Sequence, residues 1–308
     1  MYENLLDGYK VPKPESVVGV LGATSFVGNR LFAPELRQIS DKDHTWIAFS
    51  RSKQELMPEE ASNVHWCVLN DDPLANVRQK IEYWICLIPI WVLPDYYSLL
   101  ESLGARRIIA LSSTSRFSKV NSIDLSEQNL ADRLVGGEQQ LISWAEENTI
   151  DWVIVRPTLI YGFGRDQNIT VIARFIQRFG FFPLLGKANG LRQPIHVDDV
   201  AKSCLLALNE EKIVGKAYNI SGGETLSYKE MVERIFTVLG VKPKFIQFPL
   251  VAFRILITLL HFLPKFRKMS AGMADRMNQD LTFPNQDAKD DLKFEPRGFQ
   301  LSKEDVGK

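Results

Sequence analysis

Six short apolar runs set at intervals constrain this chain more than any other feature: SVVGVLG (16–22), TWIAFS (45–50), VHWCVL (64–69), YWICLIP (83–89), RRIIALSS (106–113) and DWVIVRP (151–157). Runs this short and this continuously apolar are strands buried on both faces, and the longer amphipathic stretches between them are crossover helices. The predicted fold class is therefore α/β, a Rossmann-type doubly wound parallel sheet. PDYYSLLESLG (94–104) and GGEQQLISWAEEN (136–148) are expected helices, whereas Pro34 is expected to kink the first helix or end it early.

The first run leads into GVLGATSFVGN, a Gly-rich turn between a strand and a helix. Gly22 permits the tight turn, Gly28 lets strand and helix approach, and free amides at the helix start can receive a pyrophosphate. Gly22, Thr24, Ser25, Phe26, Val27 and Gly28 are the expected cofactor loop. Ser25 stands where a third glycine is usual; it is small, and its hydroxyl can donate to a phosphate oxygen. After the second run the chain offers SRSK, with Ser50, Arg51, Ser52 and Lys53, in place of the acidic side chain that would bind a ribose 2′-OH. Cations and hydroxyls there suit a 2′-phosphate, so the expected cofactor is NADP or NAD, with NADP favoured.

The expected organisation is an N-terminal arm over 1–15, a mainly NAD(P)-binding domain over 16–160, and mixed segments over 161–308. These last complete the sheet and form a small C-terminal substrate lobe, with a helix near 168–180 and a strand-like KAYNIS (216–221). With 37 basic and 37 acidic side chains the net charge is zero, so no long-range field favours nucleic acid. Cys67, Cys86 and Cys204 sit in apolar runs and read as buried hydrophobes. The four histidines show no metal-ligand spacing, and no metal is expected. The start of the chain lacks the basic and apolar segments of a signal peptide, so the expected location is cytoplasmic.

GATSFVG (22–28), ALSSTS (110–115), VIVRPTLIYG (153–162), PIHVDDVA (194–201) and YNISGGETLSYKEMVERI (218–235) follow one another in an order that resembles the short-chain dehydrogenase/reductase superfamily. The likeness is to its extended and atypical branches, the NAD-dependent epimerase/dehydratase-like proteins. It implies a Ser or Thr after the fifth strand that polarises the substrate, a role Thr114 matches, with Ser113 beside it and Ser112 expected to contact the cofactor. It also implies a Tyr that transfers the proton and a Lys four residues later that lowers its pKa and holds the ribose. Glu138 matches an acidic residue four positions after that Lys, and counting back places Leu134 at the Lys and Leu130 at the Tyr. Leucine transfers no proton. No Tyr lies between Tyr97 and Tyr161, so the loss survives a shift of register.

Tyr161 is the remaining candidate for the chemistry, against the alternative of a packing and substrate-wall residue. Arg192 and His196 are candidates for substrate contact, Arg156 for an anchor near the cofactor, and Asp198 or Asp199 for a helix N-cap. Finally, PLVAFRILITLLHFLP (249–264) carries an amphipathic helix near 250–263, roughly 21 Å long and too short for a bilayer core of about 30 Å. It suits peripheral membrane contact, a lid, or packing in a homodimer or on the core. With the segment 277–299, it resembles the tail of the accessory NAD(P)-binding subunit of respiratory complex I and its bacterial relatives. Two functions stay open: an enzyme acting on a nucleotide-linked or lipid-linked sugar with non-standard acid/base residues, and a non-catalytic NADP(H)-binding sensor, scaffold or assembly protein.

Overall fold

The computed structural model describes residues 17–37, 44–51, 63–69, 73–77, 79–122, 124–249 and 276–307. The expected arm (1–15), Ser52, Lys53 and the expected helix near 250–263 lie outside these residues.

All six apolar runs form strands: β1 (Val17–Leu21), β2 (Thr45–Ser50), β3 (Val64–Val68), β4 (Tyr83–Cys86), β5 (Arg107–Leu111) and β6 (Asp151–Pro157). Among the described residues seven further strands follow: β7 (Ile160–Tyr161), β8 (Phe182–Leu185), β9 (Leu191–Arg192), β10 (Ile195–His196), β11 (Lys216–Ile220), β12 (Leu226–Ser227) and β13 (Phe245–Phe248). The main sheet has seven strands rather than six, in the order β11-β6-β5-β4-β1-β2-β3, and every pairing in it is parallel. The seventh is the KAYNIS segment, which extends the sheet beyond β6 and buries Tyr218 and Ile220. Strand order reverses between β1 and β4, so the crevice outside their carboxyl ends is where such a sheet takes a ligand.

The helices among the described residues are α1 (Gly28–Leu31), α2 (Pro34–Arg37), α3 (Pro73–Asn76), α4 (Tyr97–Ser102), α5 (Ser115–Ser118), α6 (Leu125–Glu147), α7 (Ile169–Phe179), α8 (Val197–Asn209), α9 (Tyr228–Leu239) and a last one at Gln286–Leu292. Pro34 does interrupt the first helical stretch: α1 stops at Leu31, and Pro34 opens α2, where its missing N–H costs nothing. The segment 94–104 is helical in two pieces, a 3₁₀ stretch over Ile90–Tyr96 that contains Pro94, and then α4. α6 begins at Leu125 rather than near 136, capped by Asp124, whose carboxylate accepts from the Ser126 amide at 2.9 Å. Gly136 and Gly137 lie inside it, because burial of Ala131, Leu134, Leu141 and Trp144 outweighs their poor helix propensity.

Alternate residues of each strand feed two cores. Val18, Val20, Ile85, Ile109 and Val155 meet α1, α8 and the helix Gln286–Leu292 on one face. Leu21, Phe49, Trp84, Ile108 and Ile154 meet the 3₁₀ stretch, α4 and α6 on the other. Coverage of both faces explains why the strands read as unbroken apolar runs. A third core, built from Ile172, Ile176, Phe182, Ile235, Phe236 and Phe299, forms the lobe. Buried Arg107 donates to the carbonyls of Ala207, Glu210 and Ile213 at 2.8–2.9 Å, placing a cation at the carboxyl end of α8. Cys67, Cys86 and Cys204 are free and buried. Among the described residues, no helix is long and apolar enough to cross a membrane.

Candidate functional site

The turn after β1 is built by backbone constraints. Gly22 has φ +83, and a Cβ there would lie 2.9 Å from the Leu87 carbonyl carbon. A Cβ on Gly28 would lie 2.3 Å from the Gly22 carbonyl oxygen, so only glycine lets α1 start where it does. Ser25 closes the turn twice: its amide donates to Gly22 O at 2.9 Å, and its hydroxyl accepts from the Gly28 amide at 3.0 Å. That hydroxyl oxygen is thereby used as an acceptor, which leaves its proton to donate to an anion in the turn.

A cavity of about 390 Å³ opens at the carboxyl ends of β1, β2, β3 and β4, lined by the predicted Gly22, Thr24, Ser25, Ser50 and Arg51. Ser50 is buried and Arg51 exposed, so the cation stands on the surface side of the pair. Phe26 and Val27 instead pack against the core under the sheet. The sequence reading omitted the wall supplied by the segment after β4, where Ile88, Pro89, Val92 and Tyr96 face the same cavity. Its only sequence signal was that YWICLIP ran on apolar beyond the four residues that pair in the sheet.

Ser112 and Thr114 lie where β5 ends, both buried. The Ser112 hydroxyl donates to Glu138 at 2.5 Å, and that of Thr114 donates to the Pro157 carbonyl at 3.1 Å. With its proton so placed, the Thr114 oxygen can only accept from a further partner. Leu134 is 3% exposed in the core beside α4 and the 3₁₀ stretch, and half-buried Leu130 packs on the same cluster. Both therefore act as packing residues on the α6 face that ends in Glu138.

Tyr161 and His196 are neighbours, paired in β7 and β10 with ring centroids 5.2 Å apart. His196 Nδ1 accepts from the Asp198 amide at 3.2 Å, so the ring proton sits on Nε2, which donates to Asp305 at 3.2 Å. The N-cap expected of Asp198 or Asp199 thus falls to His196. The two aspartates occupy the first turn of α8 and bind arginines instead: Asp198 takes Arg30 at 2.5 Å, and Asp199 takes the Arg297 backbone and side chain. Burial works to raise the Asp305 pKa, but hydrogen bonds from His196 and Ser302 outweigh it and hold the carboxyl at about 2.

The Tyr161 hydroxyl is buried without a hydrogen-bond partner among the described residues, and burial pushes its pKa well above the ordinary value. A buried hydroxyl left unpaired costs about 1–3 kcal/mol. Tyr161→Phe is therefore expected to be neutral or to stabilise by about 1 kcal/mol in urea unfolding; a loss of that size would mean the hydroxyl is bonded after all. Arg192 is buried, and its guanidinium donates to the carbonyls of Leu191, Gln279 and Arg276 rather than standing open in the lobe. Burial without a carboxylate in hydrogen-bond contact pulls its pKa down to about 10.

Fold and cavity together define a Rossmann-type α/β protein with a crevice at the switch point between β1 and β4. Within it, residues 97–221 match the model of the NAD dependent epimerase/dehydratase family. Short-chain dehydrogenase/reductase family 42E member 1 of Mus musculus is 24% identical over 246 residues, covering 74% of this chain and 54% of that protein. The mitochondrial NADH dehydrogenase [ubiquinone] 1 alpha subcomplex subunit 9 of Arabidopsis thaliana is 28% identical over 97 residues, 31% of this chain and 24% of that one. The chain thus spans between a quarter and about half of these relatives' lengths. Among solved structures, the UDP-glucuronic acid 4-epimerase from Bacillus cereus in complex with NAD superposes with a TM-score of 0.66 over 94% of each chain at 16% identity, a likeness of fold.

Proposed function

We propose that the chain is an NAD(P)-binding protein of the epimerase/dehydratase family that acts on a nucleotide-linked or lipid-linked sugar. The observation that carries the first half is the cavity at the β1/β4 crevice, walled by the Gly22–Gly28 turn. At about 390 Å³ it fits the nucleoside half of a dinucleotide, and the cradle closed by Gly28 fits a pyrophosphate approaching backbone amides and the Ser25 proton. Arg51 at the rim of the same cavity supports a contact to a 2′-phosphate, and so NADP over NAD. When bound, the nicotinamide supplies a hydride donor or acceptor. Thr114 then orients a substrate hydroxyl by accepting from it, because its own proton is held by Pro157.

Titration with NADPH and NADH by fluorescence tests the cofactor half. NADPH is expected to bind about tenfold or more tightly than NADH, and Arg51→Asp is expected to reverse or erase that order. Equal affinity for both in the wild type would remove the NADP preference, and no binding of either would remove the reading itself.

A second reading, cofactor binding without turnover, is favoured by Leu130 and Leu134, which give the α6 face an apolar lining in place of a proton donor. Single-turnover oxidation of bound NADPH by nucleotide-sugar ketones separates the two. Hydride transfer supports the enzyme, and Tyr161→Phe then shows whether Tyr161 supplies the proton. A protein that binds both ligands and transfers nothing supports the sensor or scaffold.

A further inference from the structure

Glu138 faces two guanidiniums, so the cluster carries one positive charge in excess. Its carboxylate, 1% exposed, accepts from Arg156 Nε at 3.0 and 3.1 Å and from Arg156 Nη2 at 2.5 Å, while Arg116 Nη1 closes on the same Oε2. The Ser112 hydroxyl takes up Oε1 as well. Arg156 alone already makes the bidentate pair that neutralises a carboxylate. Arg116 is therefore surplus to the charge balance of Glu138, and its Nε is buried with no partner among the described residues. Burial lowers the pKa of both arginines, and the Arg156 charge lowers that of Arg116 further. An oxyanion reaching the exposed end of this guanidinium would balance the extra charge.

Its position is on the ligand side of the sheet. Arg116 lies in α5, two residues after Thr114, and its side chain remains 19% exposed. The next residue, Phe117, is 47% exposed, with the Arg116 and Arg156 guanidiniums 5.0 and 5.5 Å from its ring centroid. Phe283, from the segment that precedes the last helix, stands 6.0 Å from the same ring. A half-exposed aromatic ring beside a partly exposed cation fits a pyranose that carries an anionic group: the C–H face of the sugar rests on the exposed part of the ring, and the oxyanion meets the exposed end of the guanidinium.

Resting on the sugar reading above, we propose that Arg116 is the receptor for the carboxylate of an acidic sugar, with Phe117 as the platform beneath its ring. A phosphate on the sugar would use the same fork, and the test separates the two. Calorimetric titration of the protein saturated with NADPH or NAD, whichever binds, by UDP-glucuronate and by UDP-glucose is expected to favour the former by roughly tenfold or more. Inorganic phosphate at millimolar concentration should leave that ratio unchanged. Arg116→Gln is expected to bring the ratio close to one, with an unchanged melting temperature because Arg156 still holds Glu138. If Arg116→Gln does not fold, Arg116→Lys keeps the charge without the fork and should still reduce the ratio severalfold. Equal affinities in the wild type, or a ratio untouched by these changes, would overturn the proposal. Competition by phosphate in a protein that shows no preference for UDP-glucuronate would overturn the carboxylate assignment. Failure of both nucleotide sugars to bind the cofactor-loaded protein would instead sink the nucleotide-linked form of the sugar reading, and this proposal, which rests on it, with it.

Discussion

Replacing Glu138 with glutamine is expected to destabilise the protein by about 3–5 kcal/mol, because it leaves two partly buried guanidiniums without their carboxylate. For a chain of this size, that corresponds to a fall in melting temperature on the order of 5 °C. The loss should be partly reversible within the same cluster. Adding Arg116→Gln to Glu138→Gln removes one of the two uncompensated charges and should recover stability, whereas independent sites would simply add. Denaturant titration of the two single variants and the double variant measures this directly. A loss below about 1 kcal/mol for Glu138→Gln would mean that the arginines find water or other partners, and that the cluster is not the electrostatic anchor of α6 on β6.

The second large effect is expected at Gly28. Alanine there would put a Cβ 2.3 Å from Gly22 O and 2.6 Å from Ala23 O, both backbone atoms that no rotamer change can move aside. Opening the turn should cost about 2–3 kcal/mol and weaken dinucleotide binding by well over tenfold, since the amides that would receive the pyrophosphate move with it. Gly136 is the internal control. It lies inside α6, a Cβ there meets nothing within 4 Å, and Gly136→Ala should stabilise by up to about 1 kcal/mol with cofactor affinity unchanged. Unfolding midpoints and NADPH titrations of the pair, read side by side, separate a general cost of altering glycine from the specific geometry of the turn. Equal behaviour of the two variants would contradict the role given to Gly28.

These experiments bear on different features of the cleft. Gly28 tests the crevice proposed for the cofactor, while Glu138 and the arginines test the charged cluster proposed to meet a substrate. Leu130 and Leu134 pack one face of α6 into the core beside the 3₁₀ stretch and α4. Tyr161 is poorly placed to transfer a proton as it stands, with its hydroxyl buried and unpaired beside a histidine whose two nitrogens are already engaged.

The sequence by itself determined the sheet, the Gly-rich turn and the crevice beside it, because each rests on local rules. A strand buried on both faces needs an apolar run, and a left-handed residue at a tight turn needs Gly22, whatever the rest of the chain does. What only the tertiary structure decided were the partners of the charged and polar side chains, since these meet across long stretches of chain. Asp198 reads locally as a helix cap but is claimed by Arg30, 168 residues away, which leaves the cap to His196. Arg192 reads as an open anion site, yet carbonyls 84 and 87 residues further on receive its guanidinium. The surplus cation at Arg116 exists only because β6 delivers Arg156 to the same buried glutamate. No local pattern encodes that charge balance; it is a property of which groups packing removes from water together.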